Sequence, residues 1–328
     1  MSAKQLDQVA QATKTAFVFP GQGSQKVGML AELAEQFASV EATFAEASKA
    51  VGFDLWHIAQ SGEGLDQTEF TQPVLLTASI ALWRVWLELG GVVPKYLAGH
   101  SLGEYSALVA AGSLSLGDAV KLVNLRGKLM QSAVPQGKGA MAAILGLDDA
   151  QVVALCQQVS DQAEGSVEAA NYNAQGQVVI AGEKAAVEAV MALAKENSGK
   201  AIALPVSVPS HCSLMKPAAE QFAQALEQTA IELPSIPVIQ NVSAEIAIDV
   251  AQVRQALTAQ LYESVQWTKT MQFIQDQGIQ YVAECGPGNV LANLAKRLPN
   301  IEKAFPLDSK SRMEDALNAI LVAEGKIA

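Results

Sequence analysis

Gly99-His100-Ser101-Leu102-Gly103 follows a short apolar run, Tyr96-Leu97-Ala98, and opens a helical run from Glu104 to Ala111 that Gly112 closes. Strand, sharp turn and helix are therefore expected in that order. In that setting Gly-x-Ser-x-Gly reads as a nucleophile elbow: the glycines let the backbone bend past the serine without a Cβ clash, and the hydroxyl stands exposed over a sheet edge. The amides of Ser101 and Leu102 would then sit at a helix N-terminus, where partial positive charge favours an oxyanion. A strand-to-helix turn whose glycines serve only packing has the same pattern. The rest of the chain must therefore supply a base, an oxyanion site and a substrate pocket.

Immediately downstream, Ser115 is placed to cap a helix from Leu116 to about Ala133, which Pro135-Gln136-Gly137 ends. Ala119, Leu122, Val123, Arg126, Leu129, Met130 and Ala133 share one stripe of it at three- and four-residue spacing. Arg126 thus falls in the middle of the face expected to be buried, where a guanidinium needs an anion. That anion can be a protein carboxylate or a substrate. Upstream, Ala16 to Phe19 reads as a strand and Pro20-Gly21-Gln22-Gly23-Ser24-Gln25 as a loop before a long helical stretch to about Ala50. The loop is not a nucleotide motif, because Lys26 stands where a dinucleotide fingerprint wants glycine and Met29-Leu30 where a phosphate loop wants Lys-Ser/Thr. Its amides remain available to an anion or oxyanion. Glu69 to Leu89 has a helical pattern ending at Gly90-Gly91.

From Gly139 to Ser207 an apolar run, a helix begun at Asp148, two strand-like runs (167–171 and 177–181), a helix over 183–196 and a strand over 201–206 give the order βαββαβ. That order describes a ferredoxin-like unit with its ends close together, here an insertion. The larger domain resumes at Pro209-Ser210-His211-Cys212 and continues with a helix after Pro217, a strand over 237–242, another helix, a strand over 280–285, the loop Gly286-Pro287-Gly288 and a helix over 289–298. Strands alternating with helices imply an α/β fold with a mostly parallel sheet covered on both faces. Ligands of such sheets sit beyond the carboxyl ends of the strands, where the Gln22, Ser101, His211 and Gly286 loops would gather. The organisation expected is a frayed extension over 1–14, a catalytic domain over 15–138 and 208–328, and an inserted subdomain over 139–207.

A chain of 328 residues can bury a sizeable core. Its formal net charge of −11 argues against a nucleic-acid surface, and an acidic partner would have to meet a local basic patch. The best candidate for a membrane span, Val74 to Val93, is broken by Arg84 and Glu88, and the polar start lacks the apolar core of a signal peptide. Cys156, Cys212 and Cys285 are far apart and share no metal-ligand spacing, which suggests reduced thiols, a cytoplasmic protein and no metal site.

Three histidines are candidates for the base. His57 lies among apolar residues on an expected helix, which suggests a structural role. His100 adjoins the nucleophile, but neighbours on an extended segment point to opposite sides, so it is better placed to brace the turn. His211 remains, in a proline-flanked loop with small neighbours, and histidine's ordinary pKa suits a general base. No aspartate or glutamate is nominated to orient the imidazole, so a backbone carbonyl could do so. Such a dyad suits an activated ester or thioester better than an amide.

With these pieces assembled, the chain resembles the malonyl-CoA:acyl carrier protein transacylases of bacterial fatty-acid synthesis. The likeness covers nearly everything after Lys14: Phe-Pro-Gly-Gln-Gly-Ser-Gln at 19–25, Gly-His-Ser-Leu-Gly-Glu-Tyr-Ser-Ala-Leu at 99–108, Arg-Gly-Lys at 126–128, Gly-Ala-Met-Ala-Ala at 139–143, Pro-Val-Ser-Val-Pro-Ser-His-Cys at 205–212 and Gly-Pro-Gly at 286–288. The resemblance implies an α/β-hydrolase-like core with a ferredoxin-like insertion. It implies that Ser101 is the acylated nucleophile and His211 the general base and acid. The backbone amides of Gln22 and Leu102 would form the oxyanion hole, Arg126 would pair with the malonyl carboxylate with Met130 beside the substrate, and the Gln260 carbonyl would hold the histidine ring. Malonyl-CoA and a phosphopantetheinyl carrier protein would be substrates, with no cofactor. The carrier would dock on local cations, for which Lys128, Lys138, Lys200, Lys296 and Arg297 are candidates. Cys285 stands where the family has an aliphatic residue. A serine hydrolase on the same elbow and a non-catalytic acyl-carrier binding module are the alternatives.

Overall fold

The computed structural model describes residues 13–162, 165–206 and 208–326. The described strands form two sheets. The first contains β1 (Thr15–Phe19), β2 (Tyr96–Gly99), β7 (Val238–Ile239), β8 (Tyr281–Glu284) and β9 (Lys303–Pro306); the second contains β3 (Gly139–Leu145), β4 (Val167–Ala174), β5 (Gln177–Glu183) and β6 (Lys200–Ala203).

Every pairing in the first sheet is parallel, in the order β7-β2-β1-β8-β9. Its central strand β1 is buried throughout, because both faces are covered. Phe17, Phe19 and Leu97 join a core with the helices Ala38–Val51, Thr68–Glu88, Leu116–Ala133, Lys216–Gln228 and Lys310–Ala323. Ala16, Val18 and Ala98 face the other way, onto Trp267–Asp276 and Val290–Ala295. The registers Phe19↔Gly99 and Val18↔Glu284 bring three carboxyl ends level. The loops at Gln22, Ser101 and Gly286 therefore open at one end of the sheet.

The second sheet is antiparallel, in the order β4-β5-β3-β6, with helices Asp149–Asp161 and Lys184–Glu196 on it. It has its own apolar core, including Ile144, Val152, Val178, Ile180 and Val187. It joins the main body along β4, where the Tyr172 amide donates to Val265 at 3.0 Å and the Val265 amide donates to Ala170 at 2.9 Å. Nearby, the Ser213 amide and hydroxyl donate to the Glu168 carboxylate.

Several expected boundaries move. The helical stretch to Ala50 divides into Ala31–Ala34 and Ala38–Val51, since Phe37 turns extended (φ −132°). The strand expected over 201–206 ends at Ala203. The strand expected over 237–242 shrinks to β7 because the Gln240 amide donates back to Glu245 and that of Asn241 to Glu104. One expected helix is two, Val250–Ala259 and Trp267–Asp276. Residues 1–12 of the expected extension lie outside the described residues. Thr13 and Lys14 do not fray: Thr13 is buried, and the Lys14 carbonyl accepts the Gln280 and Tyr281 amides. No helix among the described residues is long and apolar enough to cross a membrane. All three cysteines are free and buried.

Candidate active site

The turn after β2 depends on its two glycines. A Cβ on Gly99 would fall 1.8 Å from the Gly103 carbonyl carbon, and one on Gly103 would fall 2.0 Å from the Phe19 oxygen. Between them Ser101 adopts φ 53°, a left-handed conformation that costs a non-glycine residue about 1–3 kcal/mol. Asn241, just beyond β7, holds it there: its Oδ1 accepts the Ser101 amide at 2.7 Å and its Nδ2 donates to Gly99 at 2.5 Å. The Ser101 amide is thus committed to Asn241 and is not free for an oxyanion, contrary to the sequence expectation. The Leu102 amide has no acceptor among the described residues and opens the helix Gly103–Ala110. The exposed Gln22 amide is likewise unused, and the adjoining Gly21 packs against the His100 carbonyl, beside the elbow.

His211 lies 2.7 Å from the Ser101 hydroxyl through Nε2 and 2.7 Å from the Gln260 carbonyl through Nδ1. A carbonyl can only accept, so Nδ1 carries the proton and Nε2 accepts from Ser101. Burial and the nearby Arg126 charge push the imidazole down to about 3, which keeps it an unprotonated base at neutral pH. The other histidines are elsewhere. The His100 ring turns away to Asn173 at 2.7 Å and packs edge-on against Trp267, bracing the turn. His57 is solvent-facing, 3.6 Å from Glu63, rather than seated among apolar neighbours.

Arg126 is brought beside Ser101 by a close helix crossing. Gly127 lies where a Cβ would sit 2.7 Å from the Thr68 oxygen and the Glu69 Cα. Pro73 cannot donate to the Glu69 carbonyl, and the Asn124 side chain donates there instead, at 2.8 Å. At this crossing the Arg126 guanidinium donates to Gln72 at 2.9 Å, Gln260 Oε1 at 3.0 Å and Ser101 Oγ at 3.3 Å, with the Tyr105 ring 5.5 Å away. It is 1% exposed, its Nε has no partner, and among the described residues no carboxylate lies within ion-pair distance. A protein salt bridge is therefore not what satisfies it. Met130 lies behind this group, its sulfur accepting from Gln72 at 3.7 Å.

Asn241, Gln72 and Glu104 escaped the sequence reading. Glu104 is 2% exposed and accepts from Gln260 Nε2 at 2.6 Å and from the Asn241 amide at 3.3 Å. A signal existed for two of them: Asn241 follows a strand at the sheet's carboxyl end, and Gln72 is an amide within an apolar helix. Together the groups provide a hydroxyl on a neutral imidazole, two idle amides and a buried cation lacking an anion. That set fits acyl transfer from an anionic acyl donor.

Residues 16–303 match the acyl transferase domain family. The chain is 53% identical over 309 residues to the malonyl CoA-acyl carrier protein transacylase of Salmonella typhimurium, covering 93% of this chain and 99% of the relative. A crystal structure of FabD from Acinetobacter baumannii superposes with a TM-score of 0.94 at 84% identity, covering 95% of this chain and 99% of that one. The malonyl-transacylase PlMCAT, solved in complex with the type II PKS acyl-carrier protein AntF, superposes with a TM-score of 0.90 at 50% identity, covering 93% and 99%.

Proposed function

The chain belongs to the acyl transferase family and moves malonyl groups from malonyl-CoA to acyl carrier protein, and we propose that it does so by double displacement at Ser101. His211 takes the hydroxyl proton as Ser101 attacks the thioester carbonyl. The amides of Gln22 and Leu102 receive the oxyanion, each worth on the order of 3 kcal/mol. Coenzyme A leaves as a thiol, protonated by the same imidazole. The phosphopantetheine thiol of the carrier then gives its proton to His211 and attacks malonyl-Ser101, and the collapsing intermediate returns the free hydroxyl. Hydroxyl, imidazole and amides suffice for both halves, so no cofactor or metal is invoked.

The observation that carries this reading is the buried Arg126, 3.3 Å from the nucleophile and without a carboxylate partner. An acyl carbon bonded to Oγ places the second carboxyl of a three-carbon diacid within reach of that guanidinium, as a charge-assisted, bidentate pair. Met130 would line the same space.

The main body then reads as an α/β-hydrolase-like catalytic domain over 15–138 and 208–328, supported by the parallel sheet and the elbow after β2. The 139–207 segment reads as a ferredoxin-like insertion, supported by the β4-β5-β3-β6 order and its two helices. Carrier docking is assigned to exposed cations. Lys138, Lys200 and Lys296 are exposed and enter no ion pair among the described residues, whereas Lys128 is 3.9 Å from Glu69 and Arg297 donates to Gln177. The free thiols support a cytoplasmic setting.

Intact mass after mixing with malonyl-CoA tests the mechanism. The expected result is one malonyl adduct per chain, absent in Ser101→Ala and discharged by carrier protein. Continuous coenzyme A release without carrier would identify a hydrolase instead, and no adduct would leave only binding.

A further inference from the structure

Gln260 is fully buried and touches Ser101, His211 and Arg126, three of the residues that the proposed reaction uses. Its main-chain carbonyl takes the His211 Nδ1 proton at 2.7 Å, and its side-chain oxygen takes the Arg126 guanidinium at 3.0 Å. A half-turn about the last side-chain bond would exchange its oxygen and NH2. The NH2 would then face the guanidinium, and the oxygen would face the two acceptors now holding Nε2, the Ser101 carbonyl at 3.0 Å and Glu104 Oε2 at 2.6 Å. Glu104 supplies the shorter of those contacts. It also accepts the main-chain amide of Asn241, whose side chain clamps the elbow.

We propose that Glu104 is a positioning residue: by fixing the Gln260 amide and the Asn241 backbone, it aligns both the imidazole that activates Ser101 and the guanidinium that reads the acyl carboxylate. This assignment rests on the roles given above to Ser101, His211 and Arg126.

Its charge has a further effect. The titratable groups facing Glu104 are Arg126, from the Leu116–Ala133 helix, and Tyr105, from its own helix. Gln260 and Asn241, from the loops packed over it, are neutral. Burial lifts the carboxyl to about 7, against the opposing pull of Gln260, Asn241 and Arg126. An acyl carboxylate arriving at Arg126 competes for the same cation, so ionised Glu104 weakens malonyl binding and protonated Glu104 does not. The KM for malonyl-CoA rises as the pH passes neutrality, and the KM for acetyl-CoA, whose acyl group carries no charge, does not follow it.

The test compares the parent, Glu104→Gln and Glu104→Leu with malonyl-CoA and acetyl-CoA from about pH 6 to about pH 8.5. Leucine removes the acceptor: kcat/KM for malonyl-CoA is expected to fall about a hundredfold, and the malonyl to acetyl preference at least about tenfold. Glutamine keeps an acceptor without the charge, so it recovers at least about tenfold of that loss and flattens the pH dependence of KM. Equal losses for both substrates, or variants with the parent's preference and pH profile, overturn the proposal. If Glu104→Leu does not fold, the KM profile of Glu104→Gln decides alone. A parent that forms no malonyl-serine overturns the reading of the site, whereas a competent parent with indistinguishable variants overturns only the role of Glu104.

Discussion

In the proposed mechanism Arg126 would decide the substrate, because it is buried before any substrate arrives. The groups it contacts, Gln72, Gln260 and Ser101, offer dipoles, and the carboxyl of Glu104 acts on it only from beyond Gln260. Leaving a buried ion without its counter-ion costs roughly 3–5 kcal/mol, so an acetyl group forfeits what a malonyl carboxylate supplies. Arg126→Ala is therefore expected to lower malonyl transfer about a hundredfold or more while acetyl transfer holds or rises. Measuring both rates checks this, and an unchanged ratio would remove Arg126 from substrate choice. The low imidazole pKa makes a second expectation: in the free enzyme His211 is already neutral at pH 5, so kcat/KM for acylation has no limb from its protonation between about pH 5 and 8. A pH profile of kcat/KM checks it, and an acid limb near the ordinary histidine value would contradict it. Ser101, His211 and Arg126 were legible because each is a chemically marked residue in a marked context. Asn241 and Gln72 offered only their positions as a signal, since an amide has no titration and its worth lies wholly in what faces it.

At the scale of elements, the site depends on where the helices Thr68–Glu88 and Leu116–Ala133 cross. Gly127 permits the approach, and Asn124 occupies the carbonyl that Pro73 leaves vacant. Gly127→Ala would drive a methyl into the Thr68–Glu69 backbone, and overpacking of this kind costs about 1–3 kcal/mol. The expected outcome is a lower midpoint in urea together with a raised KM for malonyl-CoA, because the wedge moves Arg126 relative to Gln72. A variant with normal stability and KM would show that the crossing has slack. The helix starts were readable because Ser115 and Asp148 cap them through their own side chains, Ser115 accepting from the Asp118 amide and Asp148 from that of Gln151. β7 was overread because its following amides bond to a turn and to Glu104, which no local pattern announces. β9 and the Lys310–Ala323 helix went unread: β9 is only four residues long, although the helix buries Met313, Ala316 and Ile320 at helical spacing.

For the whole molecule, burial of ionisable groups sets the pH dependence of stability. His211 is depressed to about 3, so the unfolded chain binds more protons there and stability increases with pH up to the ordinary histidine value. Glu104 and Glu284 are lifted to about 7, so the folded chain binds more protons above their ordinary value of 4.5 and stability decreases as pH rises to about 7. Burial lowers His100 in the same sense as His211. The imidazoles add stability only up to the ordinary histidine value of 6.5, while the two carboxyls subtract it up to about 7, and the mounting negative charge acts in the same direction as the carboxyls. The thermal midpoint is expected to be higher near pH 5 than near pH 8, and Glu284→Gln should shrink the difference. A midpoint that rose over that range would refute the balance. The division of the chain into two sheets was foreseeable from the change of texture at Gly139. Their seam was not: the β4 contacts with Val265, and Glu168 with Ser213, join residues far apart in sequence.

The three buried cysteines bear on fidelity in an enzyme whose co-substrates end in sulfur. Burial holds Cys156 and Cys212 up at about 12 and raises Cys285 well above its ordinary value, so none offers a thiolate at physiological pH. Cys212 adjoins His211 and Cys285 follows β8, which β1 separates from the elbow strand, yet their protons go to the carbonyls of Pro209 and Ser79. Stray thioester exchange and mixed disulfides with pantetheine are thereby denied a foothold at these three thiols, which leaves the acyl cargo to the proposed nucleophile.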